Sequence, residues 1–82
     1  VDLNAEYRGD PPGVHFTFAS GGREHVCVVS LHALAALAGS AISTTNEAVS
    51  VYQHYWRYIH AAALGLHAAG QARPFVRSED VL

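Results

Sequence analysis

The sequence predicts a small α+β domain in which an antiparallel sheet is packed on one face by one short and one long helix. Three observations carry this. Apolar residues alternate with polar ones on both sides of Ser20-Gly21-Gly22-Arg23, the signature of a hairpin. From Thr44 to Gly70 they recur at intervals of three and four, the period of a helix with one buried side. After Gly70 the segment Pro74-Phe75-Val76-Arg77 supplies a further short strand, with proline at its first position.

In chain order, residues 1–13 form an extended entry closed by Asp10-Pro11-Pro12-Gly13, where the prolines fix φ and the glycine frees it. Val1 and Leu3 are at most a frayed edge. The hairpin occupies 14–29, with strands over 14–19 and 24–29. If Gly21 and Gly22 are its two-residue loop, Phe18 lies opposite His25, Phe16 opposite Cys27 and Val14 opposite Val29 on one face, with His15 and Val28 on the other. Ser30 then caps a short helix over 30–39, whose leucines at 31, 34 and 37 form a stripe ending at Gly39.

The long helix over 44–70 opens on Thr44 and Glu47, the spacing of a capping box, and stops at Gly70. Val49, Tyr52, Trp56, Ile59, Ala63 and Leu66 make its core side. His54, Arg57, His60 and His67 fall on the flanks, and Tyr55 and Tyr58 widen the apolar side toward its margins. Residues 74–82 close the chain with a strand and a final helical turn begun by Ser78-Glu79-Asp80.

At 82 residues the chain is one domain with a thin core. A formal charge of −2 and five scattered arginines, with no lysine, argue against nucleic acid, which is held by clustered cations. One cysteine forms no internal disulfide, which favours a reducing compartment and hence the cytoplasm. No apolar run is long enough for a membrane span, and no signal peptide is visible at the start, although a sequence without methionine reads as a trimmed one.

No catalytic constellation emerges. Cys27 shares the inner strand face with Phe16 and Val14 and reads as a buried, inert thiol; His25 lies two residues away, but nothing orients it as a base. The glycine pair is a turn rather than a phosphate cradle. Six histidines raise a metal reading, with His54, His60 and His67 lining the long helix, yet the close spacing of zinc motifs is missing and no cofactor is expected. Tyr55, Arg57 and Tyr58 combine residue types enriched at protein interfaces.

The order of signals resembles a known family. VHFTF, then VCVVS, a short leucine helix, a helix bearing YQHYWRYIHAAA and a terminal VRSEDV are together similar to a small proteobacterial family, the domain of unknown function numbered fourteen eighty-eight. The likeness runs from about Val14 to the end and is carried by Phe16, Val26 to Ser30, Leu34, Tyr55, Arg57, Ile59, Ala62 and Ser78 to Asp80. It implies a hairpin before two helices and a last strand joining the sheet, and it implies no activity. A further apolar strand common at the family's N-terminus has only Val1-Asp2-Leu3 as a remnant here.

The reading is therefore a non-enzymatic interaction or regulatory module acting through the long helix at Tyr55, Arg57 and Tyr58, toward a homodimer or another protein. Its rival is a small-ligand or metal-binding protein using His54, His60 and His67.

Overall fold

The computed structural model describes all 82 residues. The elements run β1 (Glu6–Gly9), β2 (Pro12–Ser20), β3 (Arg23–Ser30), α1 (Leu31–Ala38), α2 (Thr45–Ala68), β4 (Phe75–Val76) and α3 (Ser78–Val81). The strands lie in the order β1-β2-β3-β4, so the architecture is α+β as expected.

The β2–β3 hairpin has the register that alternation implies: Val14 pairs with Val29, Phe16 with Cys27 and Phe18 with His25. Gly21 and Gly22, at φ 61° and 76°, supply the two left-handed positions of a tight hairpin turn. Near the other end of β2, Gly13 faces Ser30 so closely that a Cβ added to it would lie 2.2 Å from the Val29 carbonyl oxygen.

Two features of the sheet differ from the sequence reading. The entry segment contains a real strand, β1, antiparallel to β2 with Glu6 opposite His15 and Tyr7 opposite Val14. Only Tyr7 turns an apolar side chain toward the core, so pairing rather than an apolar pattern holds this strand. The sheet is also mixed and not purely antiparallel: β4 pairs with β3 in parallel, Val28 beside Phe75 and Val29 beside Val76. The physical reason is the connection. Both helices intervene between β3 and β4, and a crossover of that length permits parallel pairing where a tight turn does not.

β2 continues past the end of β1, and Asp2 takes over the free edge. Its Oδ2 accepts from the Thr17 amide at 2.8 Å and the Thr17 hydroxyl at 3.2 Å, while Oδ1 accepts from the Asn4 amide at 2.9 Å. Val1 and Leu3 thus form no edge strand.

The helices begin and end where their caps dictate. Ser30 Oγ accepts from the Ala33 amide at 3.0 Å, and Gly39 takes the left-handed position after α1. Thr44 Oγ1 accepts from the Glu47 amide at 3.1 Å, but the Glu47 carboxylate reaches the Ser43 amide, one residue earlier than a capping box requires. After α2, Gly70 donates to the His67 carbonyl and Gln71 to that of Leu66, the paired bonds of a Schellman stop. With 24 residues α2 is about 36 Å long, matching the 35 Å long axis of the molecule. Its backbone leaves α geometry at Tyr55, at φ −108° and ψ 18°.

The core lies between the inner sheet face and the helices. Val14, Phe16, Val29, Leu34, Tyr52, Ile59 and Val76 are its largest fully buried members, each contributing on the order of 1.5–3 kcal/mol through burial. No helix is long and apolar enough to cross a membrane.

Candidate functional site: the two sides of the long helix

The inner side of α2 meets the hairpin through aromatic rings and imidazoles. Tyr52, wholly buried, stacks on Phe16 with ring centroids 5.1 Å apart. Its hydroxyl lies 2.7 Å from His60 Nε2 and accepts from the Asp2 amide at 3.1 Å. One oxygen therefore joins the chain's first residues, the sheet edge and the second half of α2. Burial, opposed in part by the hydrogen bond from Asp2, pushes the Tyr52 phenol up to about 12. It stays a neutral donor to His60 at any ordinary pH.

His60 is half-buried rather than solvated, stacked 4.9 Å from Phe16 and edge-on to Trp56 at 5.3 Å. Burial, the largest cause, lowers its pKa, against the opposing charge of Asp2. The neutral ring is the form that accepts the Tyr52 proton. Asp2 is raised by burial, but the bonds from Thr17 and Asn4 and the nearby His60 outweigh this and leave its carboxyl below 3.8. Both groups have folded-state values under their unfolded ones. Each thus contributes stability that is present above its unfolded pKa and lost as pH falls through the folded one. The urea midpoint is expected to decline first below pH 6.5, from His60, and again below 3.8, from Asp2. His60→Gln, which keeps an acceptor without a titrating ring, should remove the first decline only.

Cys27 is buried, and burial pushes its thiol up to about 12; it donates to the His25 carbonyl, not to the imidazole, at 3.7 Å. An inert thiol follows.

The histidines group differently from the sequence reading. His54, His60 and His67 do not come together, and no three His, Cys, Asp or Glu side chains are arranged to hold a metal ion. His54 is exposed, its ring edge-on to Tyr55 at 4.7 Å, and His60 Nε2 is engaged by Tyr52. His67 instead meets His25 of β3, their ring centroids 4.0 Å apart, beside Phe18. The hairpin register places His25 on the inner face, but the partner across the layer depends on how α2 docks.

On the outer side, Tyr55 is half-buried at the change of helix direction, Arg57 is exposed with its guanidinium 5.4 Å from the Trp56 ring centroid, and Tyr58 is 68% exposed. Beyond Tyr58 the exposed residues Ala61, Gly65 and Ala68 follow at intervals of three, four and three, with Leu64, 47% exposed, alongside. No Asp, Glu, Lys or Arg occurs between Arg57 and Arg73. An exposed helix side is normally its charged side; this one carries a second apolar and small-residue stripe. Two surface depressions bordered by Asp2, of about 420 and 460 Å³, are open and lined mainly by polar and charged groups, unlike an enclosed apolar ligand pocket.

No protein-family model matches the chain, and no curated protein matches it. Among solved structures it is similar to a protein of unknown function from the duf1488 family of Shewanella loihica PV-4, with a TM-score of 0.77 over 90% of this chain and 86% of that one, at 20% sequence identity. That neighbour belongs to the family the sequence resembles. The chain shares the fold of this duf1488 protein, whose own function is unknown.

Proposed function

We propose that the protein is a non-enzymatic interaction module that pairs with a second copy of itself through the outer side of α2. The observation that carries this is the exposed, uncharged stripe of Tyr58, Ala61, Leu64, Gly65 and Ala68. Water gains nothing from an apolar helix side, whereas a facing helix of the same kind buries it. Nothing charged on the stripe selects a different partner, and a self-complementary patch suits a two-fold contact.

Placed antiparallel about Ala61 and Ala62, two copies set each Tyr58 over the other's Gly65. A large ring meets the one position without a side chain, and the alanines let the backbones approach. Arg57, held over Trp56, forms the rim and loses little further freedom on binding. Tyr55 borders the patch from its half-buried place. The stripe from Tyr58 to Ala68 is about 16 Å long, at the small end for a specific interface, so a weak and reversible dimer is expected.

Gly65→Glu tests this without disturbing the fold. A Cβ at Gly65 meets nothing within 4 Å, and replacing a mid-helix glycine stabilises the monomer by about 0.5 kcal/mol. Sedimentation from about 10 μM to about 1 mM, a range set by the weak end of specific interfaces, should show a growing dimer for the parent chain and only monomer for Gly65→Glu. A strict monomer throughout, or a dimer indifferent to Gly65→Glu, contradicts the proposal.

A further inference from the structure

The His25–His67 pair has the preparation of a metal site and not merely the proximity. The His25 Nε2 lies 3.3 Å from the Ser20 carbonyl oxygen, and His67 Nδ1 lies 3.3 Å from that of Gln71. A carbonyl only accepts, so each contact assigns the ring's proton to that nitrogen. The other nitrogen, Nδ1 of His25 and Nε2 of His67, is left with a free lone pair. Metal-bound histidines are oriented in this way, the distal N–H donating to a backbone carbonyl while the opposite nitrogen ligates.

The two rings come from different layers and are fixed independently. His25 is tied to the hairpin turn through Ser20, and His67 to the Schellman stop of α2 through Gln71. Phe18 lies against both, at centroid distances of 5.4 and 6.4 Å. Both histidines are half-buried, so water has access to the remaining coordination positions.

We propose that His25 and His67 form a two-imidazole site for a divalent transition-metal ion of the zinc class, with water completing its shell. Neutral imidazole suits zinc, copper and nickel and disfavours magnesium and calcium, which take oxygen. Two imidazoles sharing a tetrahedral zinc at about 2.0–2.1 Å hold their centroids about 5 Å apart, so binding opens the present contact by about 1 Å. His60 is not a third ligand, because Tyr52 occupies its Nε2. This site is separate from the outer side of α2 and does not depend on dimer formation.

The test is calorimetric titration of Zn²⁺ into chelator-free protein, joined to long-range ¹H–¹⁵N spectra of the imidazoles. One zinc per chain is expected, with affinity falling about tenfold or more in His25→Gln and in His67→Gln and unchanged in His54→Gln, as loss of one of two ligands implies. In the parent chain the shifts should fall on His25 Nδ1 and His67 Nε2, a readout that stands even if a variant folds poorly. Absence of zinc binding, or shifts centred on His15, His32 or His54 with these two rings unmoved, overturns the assignment.

Discussion

Gly13→Ala is expected to lower stability by about 3 kcal/mol, because overpacking against a fixed backbone costs about 1–3 kcal/mol and here the obstacle cannot rotate away. The added Cβ would sit 2.2 Å from the Val29 carbonyl oxygen and 3.0 Å from Val28 Cγ1. Both belong to β3, and Val29 is itself wholly buried and paired with β4. Relief therefore requires the two central strands to part where β4 joins them. The measurement is the urea midpoint beside Gly9→Ala, which meets nothing within 4 Å at the added Cβ and should move it little. For a domain of this size the loss corresponds to a fall in Tm of roughly 12–24 °C.

Tyr52→Ala should cost more, about 4 kcal/mol, since truncating a buried aromatic ring typically costs 3–5 kcal/mol. The ring is wholly buried against Phe16, and its hydroxyl is the shared partner of the Asp2 amide and His60 Nε2. Tyr52→Phe separates the two contributions: it keeps the packing, loses the hydroxyl, and should cost about 1–2 kcal/mol. It should also loosen the first residues, seen as faster hydrogen exchange at the Thr17 amide, which Asp2 Oδ2 holds in the parent chain. Equal costs for Phe and Ala would show that the hydroxyl bridge, not the ring, dominates.

What could be read from the sequence depended on whether one local rule decided the outcome. The hairpin register could, because Gly21-Gly22 fixes the turn and period-2 alternation fixes the faces, giving Phe16 opposite Cys27. The caps at Ser30 and Thr44 and the stop at Gly70 could for the same reason. β1 could not: Glu6, Arg8 and Gly9 are exposed, so a strand held by pairing left no apolar pattern to find. Nor could the direction of β4, whose two residues read alike either way. The bend of α2 at Tyr55 has no proline or glycine to announce it.

The candidate site divides along the same line. By its polarity and spacing His60 belongs on a flank of the helix, but the Tyr52 hydroxyl and the Phe16 and Trp56 rings hold it half inside. His67 belongs with His25 rather than with His54, a pairing that exists only once helix and hairpin are docked. Of the three residues marked for an interface, Tyr58 and Arg57 are exposed and Tyr55 is half-buried. The larger signal was also in the sequence: from Tyr58 to Ala72 no residue carries a formal charge. Which part of that run faces solvent is a property of the packed molecule.

The most direct measurement on the α2 pairing is a dilution series of ¹H–¹⁵N spectra, followed amide by amide. Shifts that grow with concentration are expected at Tyr58, Ala61, Leu64, Gly65 and Ala68, and they should vanish in Gly65→Glu. Spectra independent of concentration would contradict it. So would changes confined to the helix-free sheet face at His15, Val26 and Val28, which would place self-association on the other side of the molecule.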